Sequence, residues 1–227
     1  AYFIVKQKSE RDVKMPRHYL PDSIVTVTKK GKRMEDTVWH KVKNLTLTNQ
    51  EGKTVTFDSL KGKIIIADFF FTRCPTICPA MTMNMKRMAE SIHNGKRVGD
   101  KTNKLVHFVS LSVDSERDSV PAIKKWADRF QINPETWWLL TGDKKEIYDF
   151  ALNEVKLGLI DGEGVDTNFV HSDKFVLIDS NRHVRGYYDG LDSVSLSHLS
   201  ADLVMLTMEK DPNKKSSFAG KLQIIAV

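Results

Sequence analysis

Cysteine is scarce in this sequence: two residues among 227, far too few for a disulfide scaffold. Long apolar runs are missing too. The longest, 64–71, has eight residues and contains Asp68, whereas a membrane-spanning helix needs roughly 20. No internal repeat or low-complexity segment is found. With 41% hydrophobic and 28% charged residues, neither disorder nor a fibrous repeat is indicated. A chain of this length buries a real core without staples and is expected to form one domain plus extensions.

The net charge is +6, which would favour an acidic partner, a membrane surface or nucleic acid. The basic residues are spread along the chain, and clusters such as Lys29, Lys30, Lys32 and Arg33 sit in expected turns. No RNP, zinc-finger or helix-turn-helix pattern accompanies them, so a solvated basic surface is expected and nucleic-acid binding is not.

Residues 1–5 are apolar and meet a charged flank at once, which reads either as the last turn of a removed anchor or as a short first strand. Residues 6–22 are polar, carry Pro16 and Pro21, and are expected to be a linker. Segments 24–28, 39–47 and 54–57 alternate and are separated by turn residues, which predicts antiparallel hairpins. The run at 64–70 predicts a buried strand. After Pro79, Ala80, Met81, Met85, Met88, Ala89 and Ile92 recur at helical steps, and Asn94-Gly95 ends that helix.

Further strands are expected at 105–113, 137–140, 174–178 and 184–188. Helices are expected after Ser119 and Asp143, and at 193–209. A βαβ unit followed by a ββα unit is the order of a thioredoxin-like core: a mixed sheet flanked by helices, here with an N-terminal β-hairpin extension. Residues 119–155 would be an insertion or an extra crossover.

Both cysteines, Cys74 and Cys78, lie between the buried strand and the following helix, and each is followed by proline. Unpaired N–H groups and the positive end of a helix favour anions there, hence thiolates, and Arg73 adds positive charge. Pro79 places Cys78 near the N-cap. Cysteines four apart in a turn can form a disulfide. With an imidazole they make a soft three-donor site suited to copper or zinc, whereas an iron–sulfur cluster would normally want four cysteines.

Of seven histidines, His171 is the one in a loop just before a core strand. In a thioredoxin-like fold that loop faces the cysteine loop. Asp173 could orient the imidazole, but reads more simply as a strand-start residue. Met81, Met85 and Met88 share one helical face and read as core; Met83 is the one methionine placed to help copper enter. Asp114 and Asp118 could shape the site or a partner surface, but read more simply as acidic capping residues of a β–α loop.

The segment Phe69-Phe70-Phe71-Thr72-Arg73-Cys74-Pro75-Thr76-Ile77-Cys78-Pro79 resembles the Sco/SenC copper proteins. Two further markers resemble the same family: Leu111-Ser112-Val113-Asp114-Ser115-Glu116-Arg117-Asp118, and His171-Ser172 ahead of Phe175-Val176-Leu177-Ile178-Asp179. Ser115 stands where the common family form has proline. The match runs over about residues 40–210.

The resemblance implies a thioredoxin fold whose copper ligands are Cys74, Cys78 and His171. It implies a metallochaperone role in assembling the binuclear copper centre of cytochrome c oxidase subunit II. It also implies an N-terminal membrane anchor, absent from this sequence, on the periplasmic face of a bacterial membrane or in the mitochondrial intermembrane space. The expected organisation is an extension at 1–38, a copper-binding domain at 39–212 and a tail at 213–227, acting as a monomer and not primarily as an enzyme.

The alternative is a thiol–disulfide oxidoreductase that uses Cys74 and Cys78 as a redox pair. Three residues between the cysteines are unusual for that chemistry, and neither Val170 nor His171 is the cis-proline such proteins place there. A peroxiredoxin-type peroxidase fits poorly. Positions three and seven before Cys74 hold Phe71 and Ala67, and those before Cys78 hold Pro75 and Phe71, where Thr or Ser and Pro are wanted.

Overall fold

The computed structural model describes residues 15–29, 31–94, 102–157 and 172–209. His171, the apolar ends at 1–5 and 222–227, Gly95, the glycine-rich stretch at 162–164 and Asp211-Pro212 lie outside the described residues.

An antiparallel hairpin, β1 (Pro21–Lys29) and β2 (Lys32–Trp39), forms its own two-stranded sheet. It turns through Gly31 at φ +76, a left-handed backbone that glycine adopts without a Cβ penalty. The second strand therefore ends at Trp39, where the sequence had suggested that a strand begins. Residues 40–45 are irregular. Val42 and Leu45 are buried three residues apart, a spacing that a strand's period of two cannot place on one face.

The main sheet has seven strands: β3 (Thr46–Asn49), β4 (Thr54–Thr56), β5 (Ile64–Phe70), β6 (Val106–Ser112), β7 (Trp137–Thr141), β8 (Lys174–Ile178) and β9 (Val184–Asp189). Their spatial order is β4-β3-β7-β6-β5-β8-β9. Strands β5, β6 and β7 run parallel, β8 pairs antiparallel with β5, and β9 pairs antiparallel with β8. Helices α1 (Ile77–Asn94), α2 (Val120–Phe130), α3 (Lys144–Asp149, continued by a π turn at Phe150–Glu154) and α4 (Ser193–Met208) flank it, with single helical turns at Phe57–Leu60 and Thr102–Leu105. The βαβ unit β5-α1-β6 and the ββα unit β8-β9-α4 form a thioredoxin-like core. Strand β7, reached through α2, widens the sheet as the extra crossover.

Every residue of β5 is buried, because both faces of the sheet are covered. Ile64, Ile66 and Phe70 face Met81, Met85 and Met88 of α1, Trp126 of α2 and Leu203 of α4. Ile65, Ala67 and Phe69 face Phe57, Phe150 and Val155 on the other side. The three methionines are core, as their spacing predicts, and Met83 is exposed. Helix α3 starts as read from the sequence, with the Asp143 carboxylate accepting the Glu146 N–H at 2.9 Å.

The expected linker is docked from Met15 onward. Pro16 is buried, its carbonyl accepts from the Arg185 guanidinium at 2.7 Å, and the Tyr19 N–H donates to the Val184 carbonyl at 3.0 Å. Polarity suggested a free tether, but the backbone carbonyls of this segment satisfy a buried arginine. No helix among the described residues is long and apolar enough to cross a membrane.

Candidate metal centre

The buried strand β5 delivers the chain into a short loop, and α1 begins at Ile77, two residues before the expected start at Pro79. Cys78 is therefore inside the first turn. Proline is tolerated there because the first N–H groups of a helix have no intrahelical partner. Cys74 and Cys78 are free thiols, both buried. The Cys78 N–H donates to Cys74 Sγ at 3.3 Å.

The two sulfurs differ. Burial pushes the Cys74 thiol up, but backbone N–H groups of Cys78, Thr76 and Ile77 converge on the sulfur and leave it below its ordinary value. Burial dominates at Cys78 and raises its thiol strongly, with Cys74 and Asp68 adding to the rise. Cys74 is thus the readier thiolate. Arg73, expected to supply positive charge, instead points its guanidinium at Asp114, 3.1 Å away.

The loop after β6 holds the cysteine loop in place. Asp118 is buried and accepts from the Thr72 N–H at 3.0 Å, the Thr72 hydroxyl, and the Ser112 hydroxyl at 2.6 Å. Asp114 is buried beside it, between Arg73 and Arg117. The reading of both as ordinary capping residues is corrected: each grips a residue just ahead of Cys74. The serine and aspartate at 112 and 118 are a weak signal by themselves, because the partner at 72 is 46 residues away.

Asp68 was also missed as a site residue. It projects from the same face of β5 as Phe70, toward α1, and one of its carboxyl oxygens has no hydrogen-bond partner. Burial raises its pKa to about 7. A polar residue inside an apolar strand is the only sequence sign of it.

His171 lies just before the described structure resumes at Ser172. Strand β8 pairs Val176 with Ala67, so its first residue, Lys174, lies toward the cysteine end of β5. Asp173 is engaged by Lys174 Nζ at 2.9 Å, in keeping with a strand-start residue. Two other histidines are engaged elsewhere. His107 is buried against Trp138 with its pKa lowered to about 3 by desolvation, and His40 bridges Asp22 and Glu154. His183 lies in the turn before β9. Chemically, the pair offers two soft, buried sulfur donors at a helix start, one of them the readier to ionise. Such a donor set fits a thiophilic ion and also fits reversible disulfide formation.

The family model described as SCO1/SenC matches residues 35–207. The SCO1 protein homolog of Bacillus subtilis is 33% identical over 174 residues, 76% of this chain and 86% of that protein. A SCO1/SenC family lipoprotein from Bacillus anthracis superposes with a TM-score of 0.63 at 31% identity, over 74% of this chain and 95% of that one. The copper-bound Arabidopsis thaliana ScoI gives a TM-score of 0.55 at 25% identity, over 72% and 97%. BsSco, a protein with a disulfide switch and a member of the Sco family of cytochrome c oxidase assembly proteins, gives 0.63 at 31%, over 77% and 98%.

Proposed function

This chain belongs to the SCO1/SenC family, and from that premise we propose that it is a copper metallochaperone serving cytochrome c oxidase assembly. Copper is its cargo, held by Cys74, Cys78 and His171. The observation that carries this reading is the pair of shielded thiols at the start of α1, with three N–H groups turned on Cys74. The recipient is the binuclear copper site of oxidase subunit II, and the protein acts as a monomer. Residues 39–212 are the copper domain, 1–38 its extension and 213–227 its tail. It works at a membrane surface, on the periplasmic side or in the intermembrane space.

Cu(I) is satisfied by two thiolates, whereas Cu(II) favours additional nitrogen or oxygen donors. Removing the imidazole should therefore weaken Cu(II) more than Cu(I). The test is visible absorption and electron paramagnetic resonance of Cu(II)-loaded protein, with and without His171→Ala. Nitrogen hyperfine structure and thiolate-to-copper bands should disappear in the variant, while Cu(I) binding weakens and the thiols still oxidise together. Identical spectra and affinities would remove His171 from the site.

The difference between the two thiols supports a second reading, a thiol–disulfide oxidoreductase. The Cys74 thiolate attacks a partner disulfide and releases one partner thiolate. Cys78 then displaces the other, so the partner is reduced as Cys74 and Cys78 are oxidised to a disulfide. Copper transfer needs the reduced pair, so one pair of thiols can serve both reactions.

A further inference from the structure

At the end of the sheet remote from the cysteines, three donor atoms from three places in the sequence come together. They are His18 Nε2 on the docked N-terminal segment, Asp179 Oδ2 at the end of β8, and His183 Nδ1 just before β9. All lie within 4.8 Å of one another. Both histidine-to-carboxylate separations, 3.9 Å for His18 and 3.7 Å for His183, exceed a hydrogen bond of about 2.7–3.2 Å. A tetrahedral ion with bonds of about 2.0–2.1 Å sets its donors roughly 3.3–3.5 Å apart. Small side-chain rotations close that difference.

The cluster is held as a site would be. Asp179 Oδ1 accepts the N–H groups of Asn181 and His183, both at 2.9 Å, which fixes the β8–β9 turn and leaves Oδ2 toward the imidazoles. The His18 ring stacks on Trp39 with centroids 5.1 Å apart, and it meets His183 edge-on at 5.5 Å. Both imidazoles remain partly accessible, so an ion can enter.

The charges also admit a cation. Arg185 donates to Asp179 Oδ2 at 2.9 Å and is the strongest objection. Its charge is met separately by Glu209, through contacts of 2.7 and 3.1 Å. One arginine and two carboxylates leave a net negative charge.

We propose that His18, Asp179 and His183 form a second metal site, distinct from the thiol pair, that takes a divalent transition ion of the Zn(II) class. Two imidazoles and one carboxylate suit that ion, with water completing the shell. Register places the site well away from copper. Ile178 pairs with Ile65, and the cysteine loop leaves β5 after Phe70, about 17 Å along the strand at roughly 3.3 Å per residue. An ion there would bridge the N-terminal segment to the sheet and pin the entry to the fold.

The test is Zn(II) titration calorimetry on the full chain carrying Cys74→Ser and Cys78→Ser, which removes the thiol donors. One Zn(II) per chain should bind. His18→Ala and His183→Ala should each weaken it by about tenfold or more, while His171→Ala leaves it unchanged. Zinc should raise the melting temperature of the parent and not of the two variants, with circular dichroism confirming that all are folded. Failure to take up zinc overturns the proposal. So does uptake indifferent to His18 and His183, or uptake abolished by His171→Ala.

Discussion

Asp118 holds Thr72 by both its backbone and its side chain, so an aspartate on the loop after β6 fixes the residue two positions ahead of Cys74. The same carboxylate takes the Ser112 hydroxyl, and the Asp118 carbonyl accepts from Thr141 at 2.7 Å. The geometry of the cysteine loop thus depends on the exits of two neighbouring strands, β6 and β7.

Asp118→Ala leaves the Thr72 N–H and two hydroxyls without their acceptor in a buried setting. The expected loss is on the order of 2–4 kcal/mol, read as a lower urea midpoint at unchanged slope. Cu(I) affinity should fall in the same variant. Unchanged stability would mean that the loop holds its shape without this carboxylate.

Cys74 should react with iodoacetamide before Cys78. Ionisation is favoured at the first sulfur by three N–H groups and opposed at the second by burial. Peptide mapping after brief labelling of the reduced protein at neutral pH should find Cys74 modified about tenfold faster or more. Equal rates would count against the difference.

Asp68 gives stability a pH dependence whose sign is fixed by its raised pKa. The unfolded carboxyl ionises near 3.8, and the folded one at about 7. Between those values the folded state binds the extra proton, so this group's contribution falls as pH rises from about 4 to 7 and stays unfavourable above that. Asp68→Asn should flatten that slope and stabilise the protein at pH 8, by on the order of 1–4 kcal/mol. Denaturation midpoints at pH 4, 6 and 8 check it; a slope unchanged by the substitution would exclude Asp68 as its source.

Gly190 closes the loop between β9 and α4 against the strand that follows His171. A Cβ there would lie 2.9 Å from Met81 Cε, 3.1 Å from the Asp173 carbonyl oxygen and 3.2 Å from Phe175 Cζ. The Gly190 N–H also donates to that carbonyl at 2.7 Å. Gly190→Ala should cost about 1–3 kcal/mol through overpacking and, by displacing Asp173, weaken Cu(II) more than Cu(I). A thermal melt and paired titrations of the two copper states would show both effects.

Much of this fold could be read locally. The apolar run of β5, the methionine spacing of α1 and the Asp143 cap are signals contained in a few adjacent residues, and each marks the element found there. The cysteine pair was legible for the same reason, since its meaning comes from a strand before it and a helix after it. The docking of residues 15–20 was not legible, because its cause is Arg185, 169 residues from Pro16. The second hairpin strand was displaced because the alternation read at 39–47 includes Val42 and Leu45, which are buried from an irregular segment.

The sequence by itself determined the order of strands and helices, the position of the two thiols at a helix start, and the family. Those depend on periodicity, propensity and spacing, which act over one or two turns of chain. Only the tertiary structure decided that Asp118 grips Thr72, that Asp68 lies beneath α1, and that His18 meets Asp179 and His183. Each of those contacts depends on which strands are neighbours and in what register. Sheet order is set by burying both faces of β5 at once, so it belongs to the whole chain and to no segment of it.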